Sequence, residues 1–136
     1  MAELQRDGSL DIDGDVVRLE VVSEPRRGQV FAFVMDTRMC DAATELAHGA
    51  DLLVCEATFL HRDAALAEQY EHLTARAPAE RAREAGVRRL VLTHLFQRYP
   101  TPNEHLPEAA AIFPDVTVAE DLDRVAVPPR LEPRPG

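Results

Sequence analysis

Four residues of chemically capable type stand at telling positions. Asp36 follows the apolar run Phe33-Val34-Met35, Glu56 follows Leu52-Leu53-Val54-Cys55, and His94 follows Leu90-Val91-Leu92-Thr93. His72 stands two residues before Thr74, an expected helix cap. In α/β proteins ligands gather outside the carboxyl ends of the strands. If the three runs are strands of one sheet, two carboxylates and two imidazoles meet at one edge, a set that suits a divalent metal beside a proton-transfer pair. Each residue also has an ordinary role: Asp36 as a cap for the next helix, Glu56 as a solvated loop acid, His94 as a satisfied core histidine. Their succession at three strand ends favours the functional reading. His48, before Gly49 at a helix end, reads as structural. His61 and His105 have no identifiable partner.

The elements that would position these residues alternate between strand and helix, the order of a parallel or mixed α/β layer. Strands are expected at 16–22, 29–35, 51–55 and 89–93, with short ones at 116–119 and 124–127. The second is the most continuously apolar and reads as buried on both faces. Helices are expected at 41–48, stopped by Gly49, at 75–85, capped by Thr74 and ended by Gly86, and at 107–113. Residues 1–127 read as one domain. Residues 128–136 hold four of the ten prolines and read as an extended or disordered tail.

Composition narrows the function. At 136 residues the chain is one ordinary domain with a sizeable core. No apolar run approaches the roughly 20 residues of a membrane span, and the first ten residues lack the apolar core of a secretory signal, so a cytoplasmic location without membrane contact is expected. All 15 basic residues are arginines. A Schiff base or a Walker lysine is therefore impossible. The net charge of -9 opposes a polyanionic partner over most of the surface, so contact with nucleic acid must be local or borrowed. Cys40 and Cys55, without CxxC spacing, read as reduced core residues. The stretch Val34 to Met39 is similar to the phosphoacceptor strand end of a response-regulator receiver, but a receiver needs a lysine.

Four segments taken together, FVMDTR at 33–38, ADLLVCEATF at 50–59, HLT at 72–74 and LVLTHLFQRY at 90–99, resemble in order and spacing the second half of the ribonuclease Z family. The resemblance implies an α/β layer that is the C-terminal half of a metallo-β-lactamase-like αββα sandwich, and the cleavage of pre-tRNA at its 3′ end. Asp36 matches the carboxylate that bridges two zinc ions in the family, and His94 matches a terminal histidine ligand; manganese is an alternative metal. Glu56, in Cys55-Glu56-Ala57-Thr58 where the family has His-Glu-Ala-Thr, and His72 match a pair in which the His protonates the leaving oxygen. Arg98, Thr58 and Thr74 match positions expected to contact substrate. The family's H-x-H-x-D-H run, which supplies four ligands and the base, has no counterpart here. The chain by itself is thus expected to be inactive, as a truncated product, as a half completed by the missing N-terminal portion or a dimer partner, or as a non-catalytic binding half-domain. Cyclic phosphodiesterase or arylsulfatase chemistry is the alternative within the fold.

Overall fold

The computed structural model describes residues 2–24 and 27–130. A helix α1 (Ala2–Asp7) leads into an antiparallel hairpin, β1 (Ser9–Ile12) and β2 (Asp15–Arg18), followed by one helical turn, α2 (Leu19–Val22). The strand expected at 16–22 is therefore half strand and half helix. Its partner is the preceding segment, turned by Asp13 and Gly14, both at positive φ as a two-residue hairpin requires. Ser9 pairs with Arg18, so the ladder ends there and the chain is free to coil.

The main layer is a four-stranded, wholly parallel sheet in the order β3 (Phe31–Val34), β4 (Leu52–Glu56), β5 (Leu90–Thr93), β6 (Val116–Val118). Between β3 and β4 runs α3 (Asp41–Ala47). Between β4 and β5 run α4 (Ala64–Gln69) and α5 (Arg76–Glu84), and between β5 and β6 runs α6 (His105–Ala110). The α3, α5 and α6 helices pack on the sheet and on one another. Ala32, Val34, Leu53, Cys55, Leu90 and Leu92, adjacent across the register, meet Ala75, Ala79 and Ala82 in the core. Alanines on the helix let it lie close to the sheet.

The other face is less covered. Along β3 the burial alternates, with Phe31 54% and Phe33 56% exposed, so this strand is not buried on both faces as its apolar run suggests. Phe31 and Phe33 point away from the helices on an edge strand. This half of the apolar pattern has no partner among the described residues.

Four local expectations are corrected. Thr74 does not cap α5: the Glu108 carboxylate from α6 accepts from the Arg76 N–H at 3.1 Å and also from the His61 N–H at 3.0 Å. The stretch 124–127 is not a strand, because side chains rather than a ladder hold it and its continuation. Gln29 Nε2 donates to the carbonyls of Val127 and Pro128 at 2.9 Å, and Arg88 to that of Pro129 at 2.7 Å. Prolines at 128 and 129 offer no N–H for a ladder. The start of the segment expected to be disordered is thus tied down, Arg130 donating to the Gly49 carbonyl; 131–136 lie outside the described residues. Cys40 is exposed rather than in the core, whereas Cys55 is buried; neither is in a disulfide.

Beneath the sheet's amino end, Asp51 is fully buried and takes the Val30 N–H at 2.8 Å and Arg88 at 3.1 Å, with Arg130 at 3.5 Å. The Val30 bond, followed by the two guanidinium groups, holds this carboxyl below its ordinary range against the opposing effect of burial. It fastens the start of β3, the start of β4 and the C-terminal segment together. His105 is buried edge-on against Tyr99, ring centroids 4.9 Å apart, and its approach to the Ala57 backbone falls short of a regular hydrogen bond. Burial pushes its pKa down.

Candidate active site

Because β3, β4 and β5 are parallel neighbours, their carboxyl ends bring Asp36, Glu56 and His94 to one edge. His72 arrives from the loop between α4 and α5. That loop is pinned beside the chain leaving β4: Phe59 N–H donates to the Leu73 carbonyl at 3.0 Å, and Ala75 N–H to the Phe59 carbonyl at 2.8 Å. All four residues singled out from the sequence thus converge.

Glu56 is the hub. Its side chain is fully buried, and four donors converge on it: Thr37 N–H on Oε1 at 2.7 Å, and on Oε2 the Thr58 hydroxyl at 2.6 Å, His72 Nδ1 at 2.9 Å and Leu73 N–H at 3.2 Å. Nothing in that shell of donors is left for solvent to supply. His72 is oriented with its Nε2 away from the carboxylate.

Asp36 and His94 form the exposed side. His94 Nε2 lies 3.6 Å from Asp36 Oδ1, and its Nδ1 is 3.1 Å from the Thr58 hydroxyl. Asp36 and His94 both have positive φ, 48° and 56°. Left-handed backbone at a non-glycine residue is uncommon and gathers at functional sites. Here it turns both side chains back over the strand ends. Ligand atoms of Asp36, His72 and His94 lie within 4.8 Å of one another. A carboxylate oxygen and imidazole nitrogens are the donors zinc favours. The separation asks for a small closure around an ion with ligand distances of about 2.0–2.2 Å. The residues present fit a metal, as part of a coordination shell.

Beside the imidazoles opens a cleft of about 480 Å³, lined by Phe59, Tyr70, His72, His94 and Phe96 among others. Tyr70 and Phe96 are exposed, and both rings pack against Phe59, at centroid distances of 6.4 and 5.4 Å. Sequence reasoning missed this aromatic wall, since Tyr70 and Phe96 lie in irregular segments without periodicity. It also missed the backbone donors at Thr37 and Leu73, which no side-chain pattern can announce.

Of the residues expected at the substrate, Thr58 lines the cleft, whereas Thr74 and Arg98 lie outside its lining. Thr58 is buried beneath the site, its hydroxyl engaged by Glu56 and His94. Thr74 is buried in the bridge with Phe59. Arg98 faces Asp63 at 3.6 Å. Cys55, where the family motif has His, points to the helix side of the sheet; burial and the adjacent Glu56 push its thiol up to about 12.

No family model matches the chain. Over 131 residues it is 58% identical to ribonuclease Z of Nocardia farcinica, covering 96% of this chain and 43% of that protein. It is 40% identical over 122 residues to ribonuclease Z of Chlamydia muridarum, covering 90% and 40%. Human tRNase Z, short form, superposes with a TM-score of 0.58 at 30% identity, over 83% of this chain and 37% of that one. The metallo-β-lactamase fold protein YhfI of Bacillus subtilis gives 0.57 at 26%, over 64% and 37%. The chain spans less than half the length of the relatives it matches. Sequence and fold agree: over most of its own length the chain resembles the C-terminal half of ribonuclease Z, and its sheet and helices are those of metallo-β-lactamase-fold proteins.

Proposed function

We propose that this chain is the leaving-group half of a metal-dependent phosphodiesterase that trims the 3′ end of pre-tRNA in the cytoplasm. The observation that carries the reading is the juxtaposition of a buried Glu56–His72 pair with the Asp36–His94 pair across one sheet edge. When bound, zinc, or manganese in its place, supplies hydroxide at neutral pH and neutralises charge on the phosphate. Asp36 and His94 would hold it. His72 acts on the proton instead. Its Nδ1–H is fixed on Glu56, so a second proton on Nε2 is aimed at the cleft. As the P–O bond breaks, that proton passes to the leaving oxygen, and the imidazole returns to its neutral form still held by Glu56. The cleft beside His72 has the aromatic lining on which a nucleobase can stack.

Completion of the site requires a basic, ligand-bearing portion that this sequence does not contain. Phe31 and Phe33 on edge strand β3 offer the apolar surface on which it would pack. A second copy of this chain would bring only the same ligands, Asp36 and His94, so the missing N-terminal portion of the fold fits better than a homodimer. The test is cleavage by this chain joined to the portion of the Nocardia farcinica protein that it does not span. A pre-tRNA with a 3′ trailer is cut in preference to a cyclic nucleotide. Preference for the cyclic phosphodiester would assign the chain to another branch of the fold.

A further inference from the structure

Thr58 stands between the two halves of the candidate site. Its hydroxyl oxygen is 2.6 Å from Glu56 Oε2 and 3.1 Å from His94 Nδ1. We propose that Thr58 is a positioning residue that fixes neutral His94 as the tautomer protonated on Nδ1, leaving the Nε2 lone pair to face Asp36.

A hydroxyl has one proton to donate. The shorter contact takes it, since the Glu56 oxygen there already receives His72 Nδ1 and the Leu73 N–H and acts as an acceptor. Towards His94 the Thr58 oxygen can then only accept, so the proton between them belongs to Nδ1. Asp36 does not compete for it: 3.6 Å from Nε2 is too long for a hydrogen bond. The same carboxylate holds His72 by its Nδ1 directly. One buried Glu56 thus orients two imidazoles, His72 at first hand and His94 through the Thr58 hydroxyl, and turns both Nε2 atoms outward. A ring's free nitrogen is set by the bond its other nitrogen makes, and such partners tune metal affinity. The tautomer follows from hydrogen bonding alone; its consequence for metal rests on the function proposed above.

The experiment is long-range proton–nitrogen correlation NMR on the 15N-labelled chain at about pH 8.5, roughly two units above the ordinary imidazole pKa. His94 is assigned through His94→Gln. The expected pattern is Nδ1–H for His94 in the native chain and in Thr58→Ser, and loss of that preference in Thr58→Val. In the chain joined to the ligand-bearing portion as above, zinc alone, titrated against a competing chelator, is expected to bind about 10- to 100-fold more weakly to Thr58→Val and within a few-fold of native to Thr58→Ser. An Nε2–H resonance for His94 in the native chain overturns the proposal, as does an unchanged tautomer in Thr58→Val. If Thr58→Val fails to fold, the native and Thr58→Ser spectra still decide. Nδ1–H on His94, with zinc held equally by the native fusion and by its Thr58→Val variant, upholds the tautomer and refutes its consequence for the metal instead.

Discussion

Replacing Glu56 by Gln keeps the shape of the side chain and changes only what its two outer atoms can do. The amide oxygen will take the Oε2 position, where Thr58, His72 and Leu73 donate. That leaves the amide NH2 facing the Thr37 N–H, which lost its acceptor. A hydrogen bond to a charged group is worth about 1.5–3 kcal/mol, and an unsatisfied buried donor costs about 1–3 kcal/mol. Thr37 is only half-buried, so the lower part of the combined range applies, about 2.5–4 kcal/mol. For a chain of this length each kcal/mol moves Tm by about 3–4 °C, so Glu56→Gln is expected to melt about 8–16 °C below native. Circular dichroism melts read this directly. The control is Glu71→Gln, which removes an exposed carboxylate paired with Arg38 at 3.0 Å, where a surface ion pair is worth about 0–1 kcal/mol. If the two variants melt together, Glu56 is not the hub inferred from its four donors.

Other outcomes follow from named groups. In the completed enzyme, His72→Ala lowers turnover by about 10²- to 10⁴-fold with zinc content unchanged in elemental analysis; loss of zinc would make His72 a ligand. Asp51 has a folded pKa below its ordinary 3.8, so its contribution is full above that value and is lost as the pH falls through the lower folded one; Asp51→Asn should flatten the acid limb of stability measured by urea titration. His105 is held neutral, so stability is full above its ordinary pKa of 6.5 and declines as the pH falls from there towards the depressed folded value, a slope that His105→Gln removes. With a thiol reagent near pH 8, Cys40 labels in the native chain and Cys55 only after denaturation, because burial and a pKa of about 12 keep it protonated.

Much of the site could be read from residue order. Parallel strands place their terminal polar residues at one edge, so Asp36, Glu56 and His94 were legible as soon as three apolar runs were recognised. His72 was singled out from its place before Thr74 and from its motif, but its arrival at the edge was not legible, because the bond from Phe59 N–H to the Leu73 carbonyl that carries it there is not a pattern of side chains. Thr58 was expected only as a substrate contact; its place as a buried bridge depends on where Glu56 and His94 come together, which no residue pattern announces. The first hairpin was not expected, because its arm Ser9–Ile12 is too polar to read as a strand. The expected burial of 29–35 failed at Phe31 and Phe33 for want of a second layer.

The most direct test is the fusion of this chain to the portion of Nocardia farcinica ribonuclease Z that it does not span, assayed on pre-tRNA with its zinc content measured in the same preparation. Trailer release with bound zinc, abolished together by Asp36→Asn and His94→Ala, is the predicted result. A folded fusion that holds zinc and cuts pre-tRNA equally well with both residues replaced would contradict it.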